Sequence, residues 1–349
     1  MAELRLDLDV MERNAKRIAS EVSALGKLWR PHVKAHCQPK IAKMLVELGA
    51  CGVTCATVAE VEVMADAGIP SALLAHIAVD SGDLNRLSAA SRKLDLLVCV
   101  DHYAQAERFS EAATQNGIKF DLLVDIDVGM GRTGTRPRVD ALQIARAANE
   151  LPGVSVAGIM GYEGHLLTIA DQDEKTAAIF EAINMLQATK DAFVDANITC
   201  DVVSAGGSGS FWITGQHAAV TELQAGGGIF GDLFYQRACG LKDVESALTI
   251  RADVVSRPSL TTAVVNCGRK ASNPATYSSE VISVAGATVQ SMSAEHTVLS
   301  LSDDARDLRI GDRVTFAVGY SDHSILMHRE IHVYRGEQFI ETWPVIRPV

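Results

Sequence analysis

The feature that most constrains this chain is a rhythm. Short apolar runs alternate with segments whose apolar residues recur every three or four positions. From Met11, the positions Met11, Ala15, Ile18, Val22 and Leu25 step by four and three, the period of an amphipathic helix. The run Trp29-Arg30-Pro31-His32-Val33-Lys34 follows. Pro39 then opens a second helix, with Ile41, Leu45 and Leu48 on one face and Gly49 closing it. The alternation repeats, with candidate strands at 52–55, 72–77, 96–100, 122–126, 156–160, 202–204 and 222–225. Helix-like segments lie between them at 58–67, 84–91, 104–114, 139–149 and 171–196. Counting the run that reaches Lys34 gives eight strands, and about 230 residues is ordinary for a (β/α)8 TIM barrel. A doubly wound open sheet is the runner-up. It calls for a glycine fingerprint after the first strand, and none is there.

After about Cys239 the texture changes. Period-two alternation appears in Val314, Phe316 and Val318 and again in Ile331 and Val333, and Arg335-Gly336-Glu337-Gln338 reads as a hairpin turn. The expected division is an α/β barrel over 9–240 and a C-terminal β-rich domain over 241–349, which the N-terminal strand at 1–8 can join. With 349 residues, 48% of them apolar, the chain can bury one large core and a smaller one. A net charge of −11 without a basic block makes nucleic acid and anionic membrane poor partners. No apolar stretch approaches the roughly 20 residues that span a bilayer. The N-terminus reads as an alternating strand and not as a secretory signal, so the expected compartment is the cytoplasm. Seven cysteines show no disulfide spacing, and Cys51 and Cys55 lack the second ligand pair that zinc would need.

Barrel enzymes place their chemistry where strands end and the following loops begin. Reading those positions gives Lys34 after strand one and Asp127–Gly134, with Arg132 among glycines, after strand five. Gly161-Tyr162-Glu163-Gly164-His165 follows strand six, Ser204–Ser210 strand seven, and Gln224-Ala225-Gly226-Gly227-Gly228 strand eight. Pro31 stiffens the approach to Lys34, and a tethered, partly desolvated lysine can bond a carbonyl carbon. Adjacent glycines let backbone N–H groups approach an anion, and barrels often hold a phosphate in the last two loops. Taken singly, each feature has a plainer reading: a solvated Lys34, a surface Arg132, a Tyr162 at the core edge. Together they describe a phosphorylated aldehyde bonded to Lys34 and gripped by its phosphate, which means pyridoxal phosphate (PLP).

These residues, with Gly268-Arg269-Lys270-Ala271 and Glu295-His296, resemble the D-threonine aldolase and D-serine dehydratase family, alanine-racemase-like PLP enzymes of fold type III. The resemblance runs in order along nearly the whole chain. It implies that Lys34 bonds the cofactor, that Arg132 lies near its phenolic oxygen and that Tyr162 lies by the pyridine ring. Ser204, Gly206, Gly207 and Ser208 would contact the phosphate, helped by Gly226 and Gly227. Such enzymes are usually homodimers.

Relatives acting on β-hydroxy amino acids carry His-x-Cys or His-x-Asp near the C-terminus, binding a divalent metal. Here Tyr320-Ser321-Asp322 stands in that place, so Asp322 is kept as a metal ligand while the imidazole has become a phenol, a poor ligand. Read as a strand, residues 322 and 323 would face opposite ways, which denies His323 the missing role. Without a metal, Tyr320 is left as an acid or base opposite Lys34. The leading expectation is a PLP-dependent lyase that cleaves a D-threonine-like amino acid to glycine and an aldehyde. Dehydration of D-serine or D-3-hydroxyaspartate, amino-acid racemisation, and a non-catalytic PLP carrier remain as alternatives.

Overall fold

The computed structural model describes residues 2–346, which fall into two compact units: one of residues 18–226, the other of residues 2–17 with 227–346. In the first, eight parallel strands follow one another: Leu28–Trp29, Val53–Cys55, Ser71–Leu74, Asp95–Val100, Phe120–Asp125, Val154–Met160, Val202–Ala205 and Glu222–Leu223. Each pairs with its sequence neighbour from the second to the eighth, and the first pairs with the eighth. The ring closes at His32, which pairs in parallel with Thr54. This is the expected barrel.

Closure works despite a proline because of the alternation of a parallel ladder. The N–H groups of Leu28, Arg30 and His32 turn toward strand eight, donating to Thr221, Leu223 and Gln224. The odd positions turn toward strand two, where Thr54 N–H donates to the Pro31 carbonyl (2.9 Å) and Val33 N–H donates to Thr54 (2.8 Å). Pro31 therefore sits on the strand-two side of the ladder and still supplies an acceptor there. Leu73, Cys99, Leu123 and Met160, from four adjacent strands, pack as one buried cluster.

The helices start where their caps dictate. The Thr57 side chain accepts from Glu60 N–H ahead of Val58–Asp66, and Asp80 and Asp171 cap Ser81–Ala90 and Gln172–Asp195. His102 and Gln105 form a reciprocal box at Tyr103–Asn116, which ends on left-handed Gly117.

In the other unit, strand Glu3–Asp7 lies between Leu248–Ser259, antiparallel, and Glu330–Arg335, parallel. Leu4, Leu6, Ile250, Ala252, Val314, Phe316, Ile331 and Val333 are all buried, so the period-two pattern is the core face of this nine-stranded sheet. The last hairpin turns through Gly336 and Glu337, with Arg335 opposite Gln338 and Gly336 at φ 55°. One reading needs correction. Residues 321–324 form a short helix, Ser321–Ser324, and not a strand. Asp232 from elsewhere in the unit takes both the N–H (2.9 Å) and the hydroxyl (2.6 Å) of Ser321, which bends the chain out of the alternation begun at Val314. Among the described residues, no helix is long and apolar enough to cross a membrane.

Strand one also carries a buried ion pair. Arg30 Nε donates to both Glu222 oxygens (3.0 and 2.9 Å), and its Nη1 reaches the Ser71 hydroxyl (2.8 Å). Breaking one side of such a pair leaves an uncompensated charge. Glu222→Gln is expected to lower unfolding stability by about 3–5 kcal/mol, while Arg30→Met with Glu222→Leu loses less. Denaturant titration of the two variants checks this, and equal losses would contradict it.

Candidate active site at the barrel mouth

Lys34 sits just past the end of strand one, in a turn held by histidine side chains. Its N–H donates to His32 Nδ1 (3.3 Å), Gln38 N–H donates to His36 Nδ1 (2.9 Å), and His36 and Cys37 N–H both reach the Val33 carbonyl (3.0 and 2.7 Å). Each imidazole must leave Nδ1 unprotonated to accept such a bond. Cys37 takes a left-handed φ of 44°, and burial, with the Glu60 charge adding, pushes its thiol up to about 12. Lys34 is half-buried at this rim.

From here the contacts run as a continuous arc around the mouth. Gly226 lies so close to the His32 backbone that a Cβ would overlap it. The same loop's Gln224 accepts from His32 N–H (3.1 Å), and its side-chain amide donates to the Ser204 hydroxyl (2.9 Å). Ser204 is the penultimate residue of strand seven, which leads through Ala205 into Gly206 at φ 71°. Of residues 206–210, Gly207 alone is partly exposed, and a Cβ on it would stand 3.0 Å from the Tyr162 ring. Ser208 is buried beside it. The Arg132 guanidinium lies 5.8 Å from the centre of the Tyr162 ring, within reach of a cation–π contact. Lys34, Gly226, Ser204, Gly206, Gly207, Tyr162 and Arg132 are thus linked through five barrel loops. The pinched glycines and the exposed guanidinium fit a ligand with an anionic tail.

The Arg132 loop is pinned by carboxylates. Asp127 Oδ1 accepts from Gly129 and Gly131 N–H (both 3.0 Å), and Asp101 accepts from Gly134 N–H (2.9 Å). Asp125, the last residue of strand five, accepts from the Thr133 hydroxyl (2.8 Å). Its pKa is pushed up to about 6, chiefly by burial, with the Asp101 charge adding and Arg132 opposing. Reading motifs passed over Asp125, although a carboxylate closing an apolar strand is itself a signal. The motif after strand six includes Glu163 without a role, yet this side chain is fully buried and accepts from the hydroxyls of Ser210 (2.6 Å) and Thr214 (2.5 Å).

A family model for the N-terminal domain of alanine racemase matches residues 6–233, and one built on serine dehydratase domains matches residues 247–334. The chain belongs to the alanine-racemase-like family. It is 28% identical over 344 residues to a D-threonine aldolase from Arthrobacter, covering 98% of this chain and 91% of that one. It is 29% identical over 356 residues to a 3-hydroxy-D-aspartate aldolase from Paracoccus denitrificans, covering 98% and 90%. Among solved structures it matches the D-threonine aldolase of Filomicrobium marinum with a TM-score of 0.94 and 32% identity, covering 98% and 94%.

The other unit holds the remaining named residues of this family member. A Cβ on Gly227 would stand 2.9 Å from the Tyr235 ring and 3.3 Å from Asp322 Oδ1. The Tyr320 hydroxyl donates to Asp322 Oδ2 (2.9 Å), and its ring packs edge-on against Phe234, Tyr235 and His323. His323 Nδ1 pairs with the Thr276 hydroxyl at 3.2 Å. Among the described residues, no three His, Cys, Asp or Glu side chains cluster as metal ligands. A phenol that spends its proton on Asp322 Oδ2 is a poor donor for a divalent ion, so this pair does not fit the metal site.

Because the native pKa of Asp125 exceeds the unfolded value of roughly 4, the native state holds the proton more tightly. Stability therefore falls as pH rises from about 4 through 6, by about 3 kcal/mol from this group. Asp125→Asn should flatten that part of the stability profile and raise the urea midpoint at pH 7. An unchanged profile would remove the assignment.

Proposed function

We propose that this protein is a PLP-dependent lyase that cleaves a D-configured β-hydroxy amino acid of the D-threonine type to glycine and an aldehyde. The observation that carries the reading is the arc from Lys34 to Arg132, with its glycine cradle on the rim. Similarity over nearly the full length to relatives named D-threonine aldolase and 3-hydroxy-D-aspartate aldolase supports the substrate class.

In this reading Lys34 Nζ is the attachment point for the cofactor's aldehyde carbon. Ser204, Gly206, Gly207, Ser208 and Gly226, with Gly227, receive its phosphate; Tyr162 flanks the ring and Arg132 binds an anionic oxygen. When bound, PLP supplies the sink for the electron pair released at Cα as the Cα–Cβ bond breaks. The substrate's β-hydroxyl loses its proton and becomes the aldehyde oxygen, and Cα takes up a proton to give glycine. Lys34 Nζ is the amine that would exchange that proton at Cα. On the chemistry of the pair, Tyr320 and Asp322 are the group assigned to the β-hydroxyl proton, with no metal in the assignment. By family analogy the working form is a cytoplasmic homodimer.

Borohydride reduction followed by peptide mapping tests the central bond. The adduct is expected on Lys34, and Lys34→Ala should lose the cofactor absorbance and roughly a thousandfold or more in kcat. An adduct on another amine would overturn the reading. Product assays on D-threonine, D-serine and D-3-hydroxyaspartate then separate the reactions. Glycine with an aldehyde supports cleavage, a keto acid with ammonia would mean dehydration, and an inverted amino acid would mean racemisation.

The phenol in place of an imidazole makes a further prediction. Activity should survive prolonged chelation, and added manganese or magnesium should change it less than about twofold. A loss on chelation that is restored by metal would show that a divalent ion is bound after all.

A further inference from the structure

The Gly206–Ser210 loop rests on two fully buried ionisable side chains to which the sequence motifs assign no role. Lys175, in the first turn of helix Gln172–Asp195, has no exposed surface, and it is the only lysine in the buried set among the described residues. Its Nζ donates to the Gly209 carbonyl at 2.9 Å and lies 5.1 Å from the centre of the Trp212 ring. Glu163 grips the loop from its other side. Its carboxylate accepts from Ser210 and Thr214 hydroxyls, and from Gly206 N–H at 3.4 Å. Lysine and glutamate are almost never fully buried unless their charges are used. An apolar side chain of similar volume would pack these positions with a smaller desolvation penalty.

The chemistry explains the choice. A loop that binds a phosphate must present N–H groups and keep its carbonyl oxygens from repelling the anion. The Lys175 amine donates to the Gly209 carbonyl and so occupies an oxygen that would otherwise repel an anion bound at the loop. Glu163 fixes the loop's two ends by taking hydrogen bonds from residues 206, 210 and 214 on one carboxylate. We propose that Lys175 and Glu163 are positioning residues that set the loop's affinity for the phosphate of the cofactor. This rests on the reading that the loop holds the PLP phosphate.

The test compares PLP with pyridoxal, which lacks the phosphate, in titrations of the apoprotein followed by absorbance and fluorescence. Lys175→Met and Glu163→Gln, both near-isosteric, are expected to weaken PLP binding roughly tenfold or more and pyridoxal binding less than about twofold. A merely structural role would lower the melting temperature and weaken both ligands in parallel, and that result, or unchanged PLP binding, would overturn the proposal. Should either variant fail to fold, Thr214→Val removes one bond to Glu163 and is expected to shift the same ratio by a smaller amount; an unchanged ratio there would also overturn it. If the wild-type protein binds neither ligand, the PLP reading falls first, and the two failures are told apart.

Discussion

The barrel depends on how its first strand is inserted between the eighth and the second. That strand pairs regularly over only two residues, Leu28 and Trp29, before Pro31 interrupts it. What remains is a split ladder: even positions donate to strand eight, and Pro31 and Val33 bracket Thr54 on strand two. The Thr54 hydroxyl adds a bond to the Arg30 carbonyl at 2.9 Å, so one buried side chain helps hold the seam. A proline at this point does more than tolerate the closure. It ends the strand at a fixed φ and delivers the chain into the turn that carries Lys34.

The seam also explains how the rim is ordered. Gly226 can approach His32 only because it has no side chain, and His32 in turn receives the Lys34 N–H. The loop after strand eight, the turn after strand one and Ser204 near the end of strand seven are therefore coupled through contacts of a few ångströms. The Arg30–Glu222 pair joins the same two strands from below the rim in chain order. Rigid strand ends with glycine-filled joints between them are what a binding site for a planar, charged ligand needs, since small displacements of the loops would alter every contact together.

Much of this was legible in the sequence. All eight strands sit where the apolar runs lie, because most of their residues are buried. Ends were less legible: the run at 72–77 is strand only over Ser71–Leu74, since Ala75 and Ile77 continue apolar into the loop. The misread at 320–323 has a long-range cause, as the carboxylate that captures Ser321 belongs to Asp232, 89 residues earlier. Glu163 escaped for the same reason, its hydroxyl partners lying 47 and 51 residues away. Lys175 looks like a solvent-facing residue in Gln172-Asp173-Glu174-Lys175, and only the packing of a loop 34 residues on reveals its burial.

Cys37, three residues beyond Lys34, adds a chemical consequence. A catalyst that generates aldehydes works beside its own electrophile, and a nucleophilic sulfur nearby would be captured as a thiohemiacetal. Pushed up to about 12, the Cys37 thiol stays protonated and so a poor nucleophile at neutral pH. Cys55 is driven well above its ordinary value by full burial, again with Glu60 contributing. Burial of the two sulfurs, with the Glu60 charge adding, thus keeps the thiol chemistry at this end of the barrel dormant.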